Sequence, residues 1–154
     1  MTERAHDPDV ARKIVDGNRY MTIGTADGAG APWVSPVWYA PEGYSTFYWV
    51  SHPEARHSRN LEVRPQVAIV IFDSTVPIGT GQALYLAAEA ALVDEDAEVE
   101  HGVGVFSRRS QEQGAAAWTP ENVAPSAGLR LYRARVSEHF LLGERDERVP
   151  VDPG

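Results

Sequence analysis

Apolar residues recur at helical spacing near the start of the chain, at Val10, Ala11, Ile14 and Val15. Asp7 and Pro8 offer an N-cap and a first-turn proline, and Gly17 is placed to stop the helix, so a short amphipathic helix is expected over residues 8–16. The period then shortens to two. Residues 20–25 have strand composition and run into a glycine-rich turn over 26–30. Residues 32–39 return as the hairpin partner, with Val34, Pro36 and Trp38 on one face. Pro36 cannot donate to a ladder, so this strand is expected to carry an irregular or unpaired position. A turn over 41–44, a strand over 45–50 and a helical segment over 55–63 follow, the last broken by Arg64 and Pro65. Residues 66–72 read as a buried strand and 73–81 as a loop.

Residues 82–93 would be helical by propensity alone, since alanine dominates them. Their place between an apolar strand and the acidic helix start at Asp94 makes them a strand. From Asp94 the period lengthens: Val99, Val103 and Phe106 mark a helix weakened by Gly102 and Gly104. Residues 107–118 also read as helical, and Thr119-Pro120 as a further cap-plus-proline start. Residues 129–142 alternate as one long strand, or as two joined by a bulge, and 143–154 form a charged surface tail. The sum is mainly β with peripheral helices: an α+β domain in which five or six antiparallel strands close a small barrel.

A length of 154 residues fits one domain spanning 1–154 with a sizeable core. The formal net charge of −8 argues against nucleic-acid and anionic-membrane partners. Zero cysteines exclude disulfides, thiolate metal ligands and a cysteine nucleophile, and they fit the cytoplasm as the expected compartment. Residues 1–7 lack the apolar core of a signal peptide, and no apolar run reaches membrane-spanning length. His52 and His57 stand five apart and the other histidines are isolated, so no metal site is expected.

Against this acidic background, residues 46–61 stand out. An aromatic strand ends in Ser51, turns at His52-Pro53 and enters a helix carrying Arg56, His57 and Arg59. A helix N-terminus supplies free N–H donors and a positive dipole end, and an arginine adds a bidentate fork, so this junction is suited to a phosphate. A solvated helix face is the competing reading of the three cations, and an N-cap or turn that of Ser51. The acidic run at 94–98 reads as a helix first turn, and Arg108-Arg109 as a solvated pair or a reach toward a substrate anion.

The ordered set of a leading helix, an Asp-Gly hairpin tip, Ser-Pro-Val-Trp-Tyr at 35–39, the aromatic strand into Ser51, Arg56-His57, Asn60-Leu61 and Arg64-Pro65 resembles the pyridoxamine 5'-phosphate oxidase-like FMN-binding split barrels. The likeness covers residues 10–93 and loosens from Asp94 onward. It implies a homodimeric split β-barrel with FMN in clefts at the subunit interface, and a flavin-dependent oxidoreductase acting on a small molecule. Ser35, Pro36, Val37 and Trp38 would line the isoalloxazine ring with backbone groups, Ser51 would touch the ribityl-phosphate, and Arg56 with His57 would hold the phosphate. Gln82 would reach the ring's polar edge from the other subunit. No catalytic side chain is implied. Members that oxidise pyridoxamine 5'-phosphate carry basic residues where Ser35 and Ala40 stand here, which argues against that substrate. Related branches bind a deazaflavin coenzyme or haem, and a non-enzymatic flavin- or haem-binding storage or sensor protein is the alternative.

Overall fold

The computed structural model describes residues 6–154, so most of the leader reading for residues 1–7 lies outside the described residues. Helix α1 (Pro8–Gly17) opens as its sequence dictates, with the Asp7 carboxylate accepting from the Asp9 N–H at 2.9 Å and Pro8 in the first turn. Its end differs from expectation. Gly17 is its last residue, and the Asn18 side chain donates back to the Ile14 carbonyl at 2.9 Å. Arg109 covers the remaining carbonyls of Val15, Asp16 and Asn18, placing a cation at the negative end of the helix dipole. Arg109 is therefore a structural clasp and not a solvated or substrate-seeking side chain.

The strands are β1 (Tyr20–Ala26), β2 (Pro32–Trp38), β3 (Ala40–Glu42), β4 (Thr46–Ser51), β5 (Gln66–Phe72), β6 (Ala83–Leu92), β7 (Arg130–Leu142) and β8 (Arg148–Pro150). They form one antiparallel sheet in the order β2-β1-β5-β6-β7-β4-β3, with β8 on β7. It curls into a half-barrel, as the expected split barrel requires. Two departures add strands. The expected turn at 41–44 contains β3, and the tail at 143–154 contains β8, whose Val149 is buried. The long final strand is continuous, with a bulge that leaves Ser137 unpaired opposite Ala87 and Ala88.

Alternation sorts the side chains into two cores. Inside the curl, Met21, Ile23, Phe47, Trp49, Ile71, Leu84, Leu86 and Tyr132 pack together, closed over by Val10, Ala11, Ile14 and Val15 of α1. Outside it, helix α3 (Asp96–Glu112) lays Val103, Val105 and Phe106 on Ala40, Tyr48 and Leu131. The Glu95 carboxylate caps α3 by accepting from the N–H groups of Ala97 and Glu98, as the acidic run foretells. The helix runs unbroken through both glycines and stops at Gln113 and the left-handed Gly114 (φ 82°), so 113–118 is not the helix expected there. Thr119-Pro120 starts only a short 3-10 turn (Pro120–Val123).

Candidate functional site

Helix α2 (Arg56–Val63) starts just after β4, because the turn closed by Ala55 N–H on the His52 carbonyl redirects the chain. Its N-cap position is Ala55, which has no side-chain oxygen to accept the first-turn N–H groups. An uncapped helix start of this kind is a set of donors waiting for an anion. Ser51, buried at the end of β4, stands beside it with Oγ 2.9 Å from His57 Nε2. Arg56 projects from the first position of the helix and stacks its guanidinium over the Trp33 ring, 4.4 Å from the centroid. This cation–π contact holds the guanidinium at the ring while its N–H groups remain suited to a bidentate acceptor.

The β1–β2 hairpin is clamped against this helix. Arg64 donates to the carbonyls of Asp27 and Gly28, and buried Asn60 donates to Thr25 Oγ1 at 3.1 Å. Asp27 spends its carboxylate within the hairpin, accepting from the N–H groups of Ala29 and Ala31. Those bonds, that from Ala31 foremost, hold its carboxyl below the usual range. Burial pushes His57 below its ordinary value, so its imidazole is neutral at pH 7 before any anion binds. The neutral form is favoured in the folded state, so acidification below the unfolded histidine's pKa, roughly 6.5, costs stability. The apo-protein's melting temperature is expected to fall between pH 7 and pH 5.5, and to fall less in His57→Asn. An equal fall in both proteins would remove His57 from the pH dependence.

Strand β2 is the sheet's outer edge, and its register with β1 runs unbroken from Pro32 to Trp38. Pro36 therefore occupies a non-hydrogen-bonded pairing with Thr22, its nitrogen facing the open edge, and no irregularity is needed. The side chains of 35–38 part company. Ser35 shares the inner parity with Trp33, while Val37 is a core residue. Pro36 is exposed on the outer face, where Trp38 packs edge-to-face on Phe106 at 4.7 Å between centroids. The backbone alternates in the same way: Ser35 and Val37 pair with Ile23 and Met21 of β1, so only the Pro36 carbonyl and the N–H and carbonyl of Trp38 face the open edge.

Ser51, Arg56 and His57 thus converge at one helix start. Gln82 does not join them: it lines a separate cavity with Val10, Thr80 and Leu141 near α1. Exposed Arg59 lies outside the stack on Trp33. Trp33 is the residue that sequence reasoning missed as part of the site. Its signal was its parity with Ser35 on an edge strand, which puts it on the face that α2 covers.

The family model described as pyridoxamine 5'-phosphate oxidase matches residues 8–141 of the chain. The haem oxygenase HutZ of Vibrio cholerae is 38% identical over 87 residues, which are 51% of this chain and 46% of that protein. The matched segment thus spans about half the length of that relative. The solved structure of HutZ, described as a haem storage protein from Vibrio cholerae, superposes with a TM-score of 0.69 at 22% identity, covering 87% of this chain and 92% of that one. A solved FAD-binding protein from Mesorhizobium loti superposes with a TM-score of 0.61 at 17% identity, over 85% and 90% of the two chains. At those identities the structures share the fold.

Proposed function

Starting from the chain's membership of the pyridoxamine 5'-phosphate oxidase family, shown by a match across residues 8–141, we propose that it binds FMN and serves as a flavin-dependent oxidoreductase on a small molecule. The observation that carries this reading is the uncapped start of α2, with Ser51 and the Trp33-stacked Arg56 beside it. The donor set fits a phosphate monoester: N–H groups and a dipole for charge, a planar fork for two oxygens, a hydroxyl for a third contact. When bound, FMN would supply the hydride and electron chemistry, and the protein would bind and orient it. Arg56 fixes the phosphate end. The stretch Ser35–Trp38 would border the ring, with the backbone groups of Pro36 and Trp38 on its open edge, and the β1–β2 hairpin clamped by Arg64 holds that edge in place. His57, neutral and half-buried, lends a hydrogen bond without adding charge.

A second copy of the chain completes the site in this reading. On the outer face of β2-β1-β5-β6, the small residues Gly24, Ala68 and Ala87 lie in register. Tyr20, Val34 and Phe72 lie 61%, 65% and 52% exposed, more apolar sheet than a monomer ordinarily leaves to water. A homodimer across this face would cover them and let Gln82 of one copy approach the other's flavin. Light scattering is expected to report a dimer that Val34→Glu splits; a flavin-loaded monomer would contradict the shared cleft.

Haem binding is the second reading, favoured by the 38% identity to HutZ over half its length. One side chain suits it: His52 Nδ1 lies 3.0 Å from the Gly128 carbonyl, which can only accept, so Nδ1 is the donor and Nε2 is the nitrogen turned away from that bond. Metal-ligating histidines are held in this way. Absorbance after separate incubation with FMN and haemin, followed by gel filtration, decides between the two. Retained flavin bands support the first reading. A retained Soret band that His52→Ala abolishes, with flavin lost, would replace it.

A further inference from the structure

Between β2, β4 and the C-terminal half of α3 lies a cavity of about 450 Å³ whose lining includes Arg19, Trp38, Phe106, Ser110, Gln113 and Trp118. We propose that it takes an aromatic carboxylate, the ring lying among Trp38, Phe106 and Trp118 and the carboxylate at Arg19. The inference adds a substrate class to the flavin reading, on which it rests only for the ligand's role as substrate.

Its walls are built in advance. Phe106 stands edge-to-face to both indoles, at 4.7 Å from Trp38 and 5.0 Å from Trp118, and it is nearly fully buried. The two tryptophans are half-buried, so each keeps indole surface at the cavity. The segment after α3 is pinned: Ser110 Oγ donates to the Ala116 carbonyl at 2.6 Å, and Trp118 N–H donates to Ser107 Oγ at 2.8 Å. Such fixing reduces the ordering that binding must impose.

The polar groups are few: Arg19, Gln113, the Tyr20 phenol and the Ser110 hydroxyl already tied to Ala116. Gln113 Oε1 accepts from Trp38 Nε1 at 2.6 Å, which fixes the amide orientation and leaves its NH2 group as a donor at the cavity. Arg19 is the one ionised side chain of the lining, and among the described residues its guanidinium has no hydrogen bond or ion pair. No carboxylate lines the cavity. One cation, neutral donors and an aromatic wall select a flat ring that brings a single anionic acceptor. The volume lies within the range of roughly 300–1,000 Å³ usual for small-molecule pockets. Trp38 also ends β2, so the cavity begins where the proposed ring-lining edge stops.

Calorimetric titration of the cofactor-free protein with 2-naphthoate tests this. Saturable binding is expected, weakened at least tenfold in Trp118→Ala and two- to fivefold in Arg19→Ala. The neutral 2-naphthamide is expected to bind wild type and Arg19→Ala alike. Gln113→Glu keeps an acceptor for Trp38 Nε1 while adding a negative charge, so it should weaken 2-naphthoate more than fivefold and spare the amide even if Trp118→Ala fails to fold. No binding, or binding untouched by Gln113→Glu, overturns the proposal. Saturable naphthoate binding by a protein that takes no FMN would sink the flavin reading alone, and FMN binding without naphthoate binding would sink this proposal alone.

Discussion

Replacing Arg56 with alanine is expected to weaken FMN binding by about 1.5–3 kcal/mol, tenfold to over a hundredfold, the range for loss of a hydrogen bond to a charged group. The size of the effect follows from the geometry. Arg56 is held by Trp33 at 4.4 Å, so little conformational freedom is lost when the phosphate arrives, and two N–H groups are lost together on truncation. Arg56→Lys should recover only part of the affinity, because an ammonium offers neither the fork nor the flat stack. Trp33→Ala should act in the same direction and more weakly, by freeing the guanidinium. Flavin fluorescence titration reads all three. Unchanged affinity in Arg56→Ala would remove the phosphate role from α2 altogether.

The largest effect on stability is expected at Gly102, where valine should cost about 2–3 kcal/mol, the scale of overpacking in a well-filled core. A β-carbon there would lie 2.7 Å from the Tyr48 ring and 2.8 Å from Leu131 Cδ2. Neither neighbour can retreat: Tyr48 is 3% and Leu131 0% exposed. The melting temperature should fall by about 4–12 °C, at roughly 2–4 °C per kcal/mol for a chain of this size. Gly104, two residues on, has no neighbour within 4 Å of the corresponding position. Gly104→Ala should instead stabilise the protein by about 0.5–1 kcal/mol, through helix propensity alone. Denaturant unfolding of the pair checks the packing of α3, and a neutral Gly102→Val would show that the helix sits farther from the sheet than described.

These two glycines also show what sequence can convey. By propensity both weaken α3, yet the helix passes through them, because at one of them closeness to Tyr48 and Leu131 outweighs the backbone cost. Strand β5 was legible to the residue, since Val67, Ile69 and Ile71 alternate and are buried in that order. The alanine-rich β6 was legible only by its neighbours, for it pairs with β5 and β7 along most of its length and its small side chains suit either period. Strand β8 was hidden, because one apolar residue, Val149, carries too little pattern; β7 supplies the pairing that makes it a strand. The stretch 113–118 misled because its alanines favour a helix, whereas Gly114 ends α3 and Ser110 holds the chain extended beyond it.

In the candidate site, Ser51, Arg56 and His57 were legible because a strand end and a helix start lie only a few residues apart, and local geometry does the rest. The role of Trp33 was not, since it depends on a hairpin folding back over the helix from more than twenty residues away. The clasp made by Arg109 was equally invisible, as it joins α3 to the end of α1 across most of the fold. Side-chain pairs separated by that much chain depend on register and curl, which local pattern does not specify.

That the start of α2 holds a phosphate is tested most directly by comparing FMN with riboflavin. The two differ only in the phosphate ester, so the ring-lining edge sees the same flavin in both. Fluorescence titration of the cofactor-free protein is expected to give at least tenfold tighter binding for FMN, with the difference largely erased in Arg56→Ala. Equal affinities for FMN and riboflavin, or a preference that Arg56→Ala leaves intact, would contradict it.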